Sequence, residues 1–168
     1  MSDQSHFQHG FRSKHSCESQ LIITIEDLAR NIDNSLQTDL QILDFQKAFD
    51  TVPHQRLLCK LDHYGIRGNI WRWIQNWLTT RTQKVVVDGK SSRPAQVISG
   101  VPQGTVLGPL MFLIYINDIA SNLDSATQIR LFADDCLLYR VINSSEDNEV
   151  LQKDLTSLYE WSCKWQMG

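Results

Sequence analysis

Ile129-Arg130-Leu131-Phe132-Ala133-Asp134-Asp135-Cys136-Leu137-Leu138-Tyr139-Arg140-Val141-Ile142 reads as two apolar strands meeting at an acidic tip. Solvated turns are built with Gly, Asn or Ser, and this tip has none. An Asp pair on its own is usually a solvated turn; one set between Leu131-Phe132-Ala133 and Leu137-Leu138-Tyr139 is a candidate ligand set. Ninety residues upstream, Leu40, Ile42 and Leu43 form a further strand that ends in Asp44. Carboxylates delivered from the ends of separate strands have rigid relative positions, and hard oxygen donors of this kind suit Mg²⁺.

The rest of the chain frames these strands with helices. Leu21, Ile25, Leu28 and Ile32 recur at helical spacing, with Glu18 in the first turn, and predict a helix covering the sheet through its apolar side. Pro53 is placed to open a helix carrying Leu57, Leu58 and Leu61, with Gly65 beyond its end. A second helix places Ile70, Trp73, Ile74, Trp77 and Leu78 on one side, a spacing that favours core packing over base stacking. Gln83 to Val87 and Ala95 to Ile98 read as strands around the turn formers Asp88-Gly89-Lys90-Ser91-Ser92. A helix is expected over 108–123, and a last one from Ser144 or Ser145 through Val150, Leu151, Leu155, Leu158 and Trp161. The order helix, strand, helices, hairpin, helix, β-hairpin, helix is an α+β layout.

Composition narrows the class. With 168 residues, 42% of them apolar, and five Trp, one core is affordable and disorder is not indicated. The net charge of −3 is uneven, because residues 1–100 carry 12 basic and 10 acidic side chains whereas 101–168 carry 4 and 9. Tight phosphate binding needs a basic surface, which this chain lacks. The four cysteines, Cys17, Cys59, Cys136 and Cys163, form no CxxC pair and read as free thiols of a reducing compartment. His6, His9, His15 and Cys17 could supply zinc, but their spacing fits a solvated loop better. The N-terminus shows no signal-peptide pattern, and the apolar run Val106–Ile116 contains Gly108 and Pro109 and is too short to span a bilayer. The expectation is a soluble intracellular protein, in nucleus or cytoplasm, without a membrane partner.

A third segment carries chemistry. Ser99-Gly100-Val101-Pro102-Gln103-Gly104-Thr105-Val106-Leu107-Gly108-Pro109-Leu110 holds its loop with glycines and prolines, and Gly104 lets a ligand reach the backbone. Gln103 is suited to hydrogen-bond a base, a sugar or a template strand; the plain alternative is a loop that starts a helix. Asp carboxylates on separate strands that share two metal ions suit nucleotidyl transfer to a hydroxyl, the first ion activating the hydroxyl and the second neutralising the phosphates.

Asp44-Phe45-Gln46-Lys47-Ala48-Phe49-Asp50, Gly100 to Pro109 and Phe132-Ala133-Asp134-Asp135 resemble motifs A, B and C of reverse transcriptases of the non-LTR, LINE-type, jockey-like retrotransposons. Gln8-His9-Gly10-Phe11-Arg12 resembles the family's preceding fingers motif, and Trp161 to Met167 the lead into motif D. The resemblance implies a polymerase palm with partial fingers: residues 1–38 as partial fingers, and 39–168 as palm with fingers helices around 53–80. It implies Asp44 and Asp134 as metal ligands, Asp135 as a supporting acid and the Phe45 carbonyl as a further ligand. Two Mg²⁺, replaceable by Mn²⁺, would be the cofactors. Phe49 falls at the sugar gate that excludes a 2′-hydroxyl, against a packing role in the core. Gln103 and Gly104 would line the nucleotide pocket, and Arg12 would reach the triphosphate. Asp50 is given a structural or helix-starting role. An RNA template, a DNA primer and deoxynucleoside triphosphates are the implied partners.

The resemblance also sets expectations about what lies beyond the chain. The family pattern continues past Gly168 into the Asn and Lys of motif D, motif E and a helical thumb, and begins upstream with a basic fingers motif. An endonuclease domain and a zinc knuckle belong to the full element. A fragment with the thumb absent is therefore expected, and loss of basic clamps would account for the acidic balance. The rival reading is a catalytically inactive retrotransposon remnant that retains the fold and at most weak nucleic-acid binding. A phosphatase built on Asp44 is disfavoured, because the second Asp it needs is Gln46.

Overall fold

The computed structural model describes residues 6–167; Met1–Ser5 and Gly168, within the expected 1–168 domain, lie outside the described residues. In chain order the elements are α1 (Cys17–Asp33), β1 (Gln37–Leu43), α2 (Ala48–Thr51), α3 (His54–His63), α4 (Gly68–Thr79), β2 (Thr82–Gln83), β3 (Val86–Val87), β4 (Lys90–Ser91), β5 (Ala95–Gln96), α5 (Leu107–Ile116), β6 (Gln128–Phe132), β7 (Asp135–Ile142) and α6 (Ser145–Trp165). They form two compact units, one up to Gln46 and again from Ile116, the other Lys47–Tyr115. This mixture of helices with small antiparallel sheets is the expected α+β class.

The first unit is built on a three-stranded antiparallel sheet in the order β1-β7-β6. Its register runs from Gln37↔Ile142 to Leu43↔Cys136 on one side of β7 and from Gln128↔Tyr139 to Phe132↔Asp135 on the other. Leu131, Cys136, Leu138 and Tyr139 are buried in it, with Leu151, Leu158 and Trp161 of α6. Ser144 caps α6, its side chain and that of Asp147 bonding each other's backbone N–H groups. That reciprocal cap satisfies donors the helix leaves open.

Helix α1 forms where the spacing predicts, capped by a Ser16–Ser19 box, but it turns the other side inward. Gln20 and Thr24 are buried, while Leu21 (53% exposed), Ile25 (61%) and Ile32 (73%) face outward. The reason is a polar seam: Asp27 accepts hydrogen bonds from Arg130 Nη2 at 3.0 Å and from the Tyr139 hydroxyl, and Asn31 donates to Thr38 Oγ1 at 3.0 Å. Hydrogen bonds to a charged, partly buried carboxylate of this kind contribute about 1.5–3 kcal/mol each.

In the second unit α3 and α4 pack together around Leu57, Leu58, Leu61, Ile74 and Leu78. Pro53 precedes α3 and Gly65 follows it with φ +84°, as the sequence predicts. On α4 the spacing misleads: Ile70 and Trp73 are exposed, and Trp73 stacks on Trp77 at 6.0 Å. The expected hairpin is broken into two short ladders, β2 with β5 and β3 with β4, the latter closed by Asp88 and Gly89, both at positive φ. Lys60 is buried because its Nζ donates to the Tyr115 carbonyl and lies 4.8 Å from that ring. Helix α5 is apolar on all sides and ends at Ile116 rather than Leu123. Among the described residues no helix is long and apolar enough to cross a membrane, and all four cysteines are free.

Candidate functional site

The acidic tip is shaped by residues far from it in sequence. Ala133 takes a left-handed conformation, φ +55°, which an L-residue with a Cβ disfavours. Gln8, itself buried, brackets it: Nε2 donates to the Ala133 carbonyl at 3.1 Å, and Oε1 accepts from the Ala133 N–H at 2.9 Å and the Gly10 N–H at 2.8 Å. Phe7 and His9 pair with Leu131 through its N–H and carbonyl at 2.8 and 2.9 Å. Gly10 is obligatory, since a Cβ there would sit 2.2 Å from the Ala133 nitrogen.

The turn delivers Asp134 and Asp135 to the end of the sheet where β1 finishes. Leu43 is paired with Cys136, so Asp44, the next residue, leaves its strand where Asp135 begins β7. The Asp134 carboxyl is held above the usual carboxylate range, first by partial burial and then by repulsion from Asp135 and Asp44, against a backbone hydrogen bond that lowers it. The three carboxylates therefore crowd one sheet end, with Asp134 half-buried and Asp44 and Asp135 exposed. Among the described residues no group of three or more His, Cys, Asp or Glu side chains is gathered to hold a metal. Mg²⁺ rarely uses such a cage; it is held by one or two carboxylates together with waters and substrate phosphates. The Asp44 and Asp134 carboxylates, like-charged and close enough to repel, fit that mode.

Phe45 is half-buried, its ring 6.3 Å from that of Trp161, whose Nε1 donates to Asp118 Oδ1 at 2.9 Å. Arg12 lies in the same unit, its carbonyl accepting from the His15 N–H at 3.3 Å. The histidines considered for zinc are otherwise engaged: His9 stacks edge-on against His15 at 4.5 Å and meets Ser19 Oγ at 3.0 Å through Nδ1.

The second unit holds the remaining site residues in one clamp. Residues 49–52 and 99–103 are joined by Val101 N–H to the Phe49 carbonyl (2.8 Å), Gly100 N–H to the Val52 carbonyl (2.8 Å) and Ser99 Oγ to the Asp50 carbonyl (2.9 Å). The approach requires Gly100, φ +84°, because a Cβ would lie 2.7 Å from the Asp50 oxygen. Gln103 Nε2 then donates to Asp50 Oδ1 at 3.0 Å, which fixes one end of its amide. His54 Nε2 and Arg81 Nη2 both donate to the Gly100 carbonyl, at 2.9 and 3.0 Å; His54 is buried, and burial pulls its pKa down. Phe49 stacks on buried Phe112 at 4.2 Å. Gly104, φ +74°, has open space where a Cβ would be. Lys47, Asp50, Arg81, Gln83, Gly100 and Gln103 are among the residues lining a polar cleft of about 800 Å³.

The sequence places Gln8 and Gly10 in a motif without a task and gives Asp50 a structural or helix-starting role; in the fold Asp50 anchors Gln103. The tie between Asp50 and Gln103 has no local signature, since 53 residues separate them.

The family described as reverse transcriptase (RNA-dependent DNA polymerase) matches residues 1–168. The chain is 29% identical over 165 residues to the probable RNA-directed DNA polymerase from transposon X-element of Drosophila melanogaster, covering 96% of this chain and 18% of that protein. It is 29% identical over 169 residues to the RNA-directed DNA polymerase from mobile element jockey of Drosophila funebris, with the same coverage of each. It is 30% identical over 171 residues to the probable RNA-directed DNA polymerase from transposon BS of Drosophila melanogaster, covering 94% and 18%. The chain thus spans 18% of the length of these curated relatives. With a match along its whole length, the chain belongs to the reverse transcriptase (RNA-dependent DNA polymerase) family.

Proposed function

We propose that this chain carries the catalytic floor of an RNA-directed DNA polymerase that adds deoxynucleotides to a primer 3′-hydroxyl on an RNA template. The observation that supports this reading is the β1–β7 register, which pairs Leu43 with Cys136 and so brings Asp44 to the sheet end where Asp134 and Asp135 turn into β7. In this reading Asp44 and Asp134 are the ligands of two Mg²⁺ ions, the Phe45 carbonyl adds an oxygen, and Asp135 deepens the negative field. The bound ions would acidify the hydroxyl and neutralise the phosphates. The residues of this chain hold the charge and orientation that this chemistry needs.

Nucleotide recognition is assigned to the second unit and to Arg12. In this reading the Phe49 ring, stacked on Phe112, is the bulk that would exclude a 2′-hydroxyl. Gln103, anchored on Asp50, keeps its amide oxygen for a sugar or base, and Gly104 leaves room for the ligand. Arg12 binds triphosphate oxygens through its guanidinium fork. The palm is assigned to 39–168 with fingers helices around 53–80, and partial fingers to 1–38.

The test is primer extension by the purified chain on an RNA template with Mg²⁺ or Mn²⁺, beside Asp134→Asn. Extension by the wild type alone supports the assignment. Extension that survives the substitution refutes the site, and failure of both proteins favours a remnant without turnover.

A further inference from the structure

We propose that Gln8 is the positioning residue of the acidic tip, setting through its carboxamide the left-handed turn at Ala133 that aims Asp134, so that Phe7–Gly10 controls the affinity of this site for divalent cations. The proposal rests on the reading of Asp44 and Asp134 as metal ligands and adds the device that holds one of them in place.

The turn is not self-sustaining. Ala133 stands at φ +55°, where glycine is at ease and alanine is not, and it is buried, so water cannot satisfy its backbone groups. Gln8 satisfies both, donating from Nε2 to the carbonyl at 3.1 Å and accepting at Oε1 from the N–H at 2.9 Å. The second lone pair of Oε1 accepts from the Gly10 N–H at 2.8 Å, which locks the amide against flipping. Glutamate would offer no donor to the Ala133 carbonyl and would bring another negative charge to the tip. Asparagine is one methylene short. Since the backbone angles of Ala133 direct the next residue, whatever fixes them fixes the Asp134 carboxylate relative to Asp44. Groups one step behind metal ligands commonly set metal affinity this way.

The experiment is Mn²⁺ titration of the full chain, free ion followed by electron paramagnetic resonance, with hydrogen exchange at the Ala133 amide. Gln8→Met is expected to weaken Mn²⁺ binding about tenfold and to strip protection from the Ala133 amide. Gln8→Asn, uncharged and one methylene short, should do the same if the methionine variant folds poorly. Adding Ala133→Gly to Gln8→Met should recover part of the affinity, because glycine takes the turn without penalty. Leu158→Ala, destabilised in the α6 packing, should keep wild-type affinity. Wild-type binding by the Gln8 variants, or a loss no greater than that of Leu158→Ala, overturns the proposal. Asp134→Asn separates the two levels: if it loses Mn²⁺ and Gln8→Met does not, only the role of Gln8 falls. A wild-type chain that binds no Mn²⁺, or an Asp134→Asn that binds normally, removes the metal site and the proposal together.

Discussion

Asp134 sits in a place that opposes ionisation of its carboxyl. Burial and the carboxylates of Asp135 and Asp44 raise its pKa, so the folded state takes up a proton more readily than the unfolded chain. The contribution of Asp134 to stability in the absence of metal is therefore present below its ordinary value of 3.8 and is lost as pH rises through the raised one. Asp134→Asn should raise the neutral-pH stability of the metal-free chain while removing divalent-cation binding; thermal melts at pH 7 with and without Mn²⁺ would show both. At Gly100 the constraint is steric. Gly100→Ala should cost about 1–3 kcal/mol by forcing apart the Asp50 and Gly100 backbones, read from denaturant midpoints. For Phe49, replacement by Val should increase ribonucleotide incorporation in an extension assay; unchanged sugar selectivity would return the ring to a purely packing role against Phe112.

At the scale of elements, α1 and α3 show what pattern reading can and cannot deliver. Helix α3 was legible from Pro53, the leucines and Gly65, because its apolar side is the buried one. Helix α1 was legible as a helix but not in its orientation, since the buried side is decided by Arg130 and Tyr139, over a hundred residues away. Asp27→Ala should destabilise by about 2 kcal/mol by leaving those donors short of an acceptor, whereas Ile25→Ser should change stability by less than about 0.5 kcal/mol; equilibrium unfolding distinguishes the two. The loop after β5 is pinned by buried His54, whose depressed pKa keeps it neutral in the fold. Its contribution is whole above pH 6.5, the ordinary histidine value, and is lost as pH falls toward the lowered one, because the unfolded chain takes the proton first. Unfolding followed between pH 7 and 5 should show that loss, and His54→Gln should flatten it.

For the whole molecule, the legible part of the site was the part written in runs of neighbouring residues: the two acidic strand ends and the glycine-rich loop. The Ala133 grip by Gln8 and the Asp50–Gln103 tie were not, because each joins segments whose proximity only the folded chain creates. The sheet order β1-β7-β6 sets Asp44 beside the strand that begins at Asp135, the proximity that carboxylates at the ends of neighbouring strands imply. The central claim is that Asp44 and Asp134 serve one divalent-cation site. Calorimetric Mn²⁺ titration of the wild type, Asp44→Asn, Asp134→Asn and the double variant tests it directly. Each single substitution should abolish most of the binding and the double should lose nothing further; independent, additive losses, or binding untouched by either change, would contradict it.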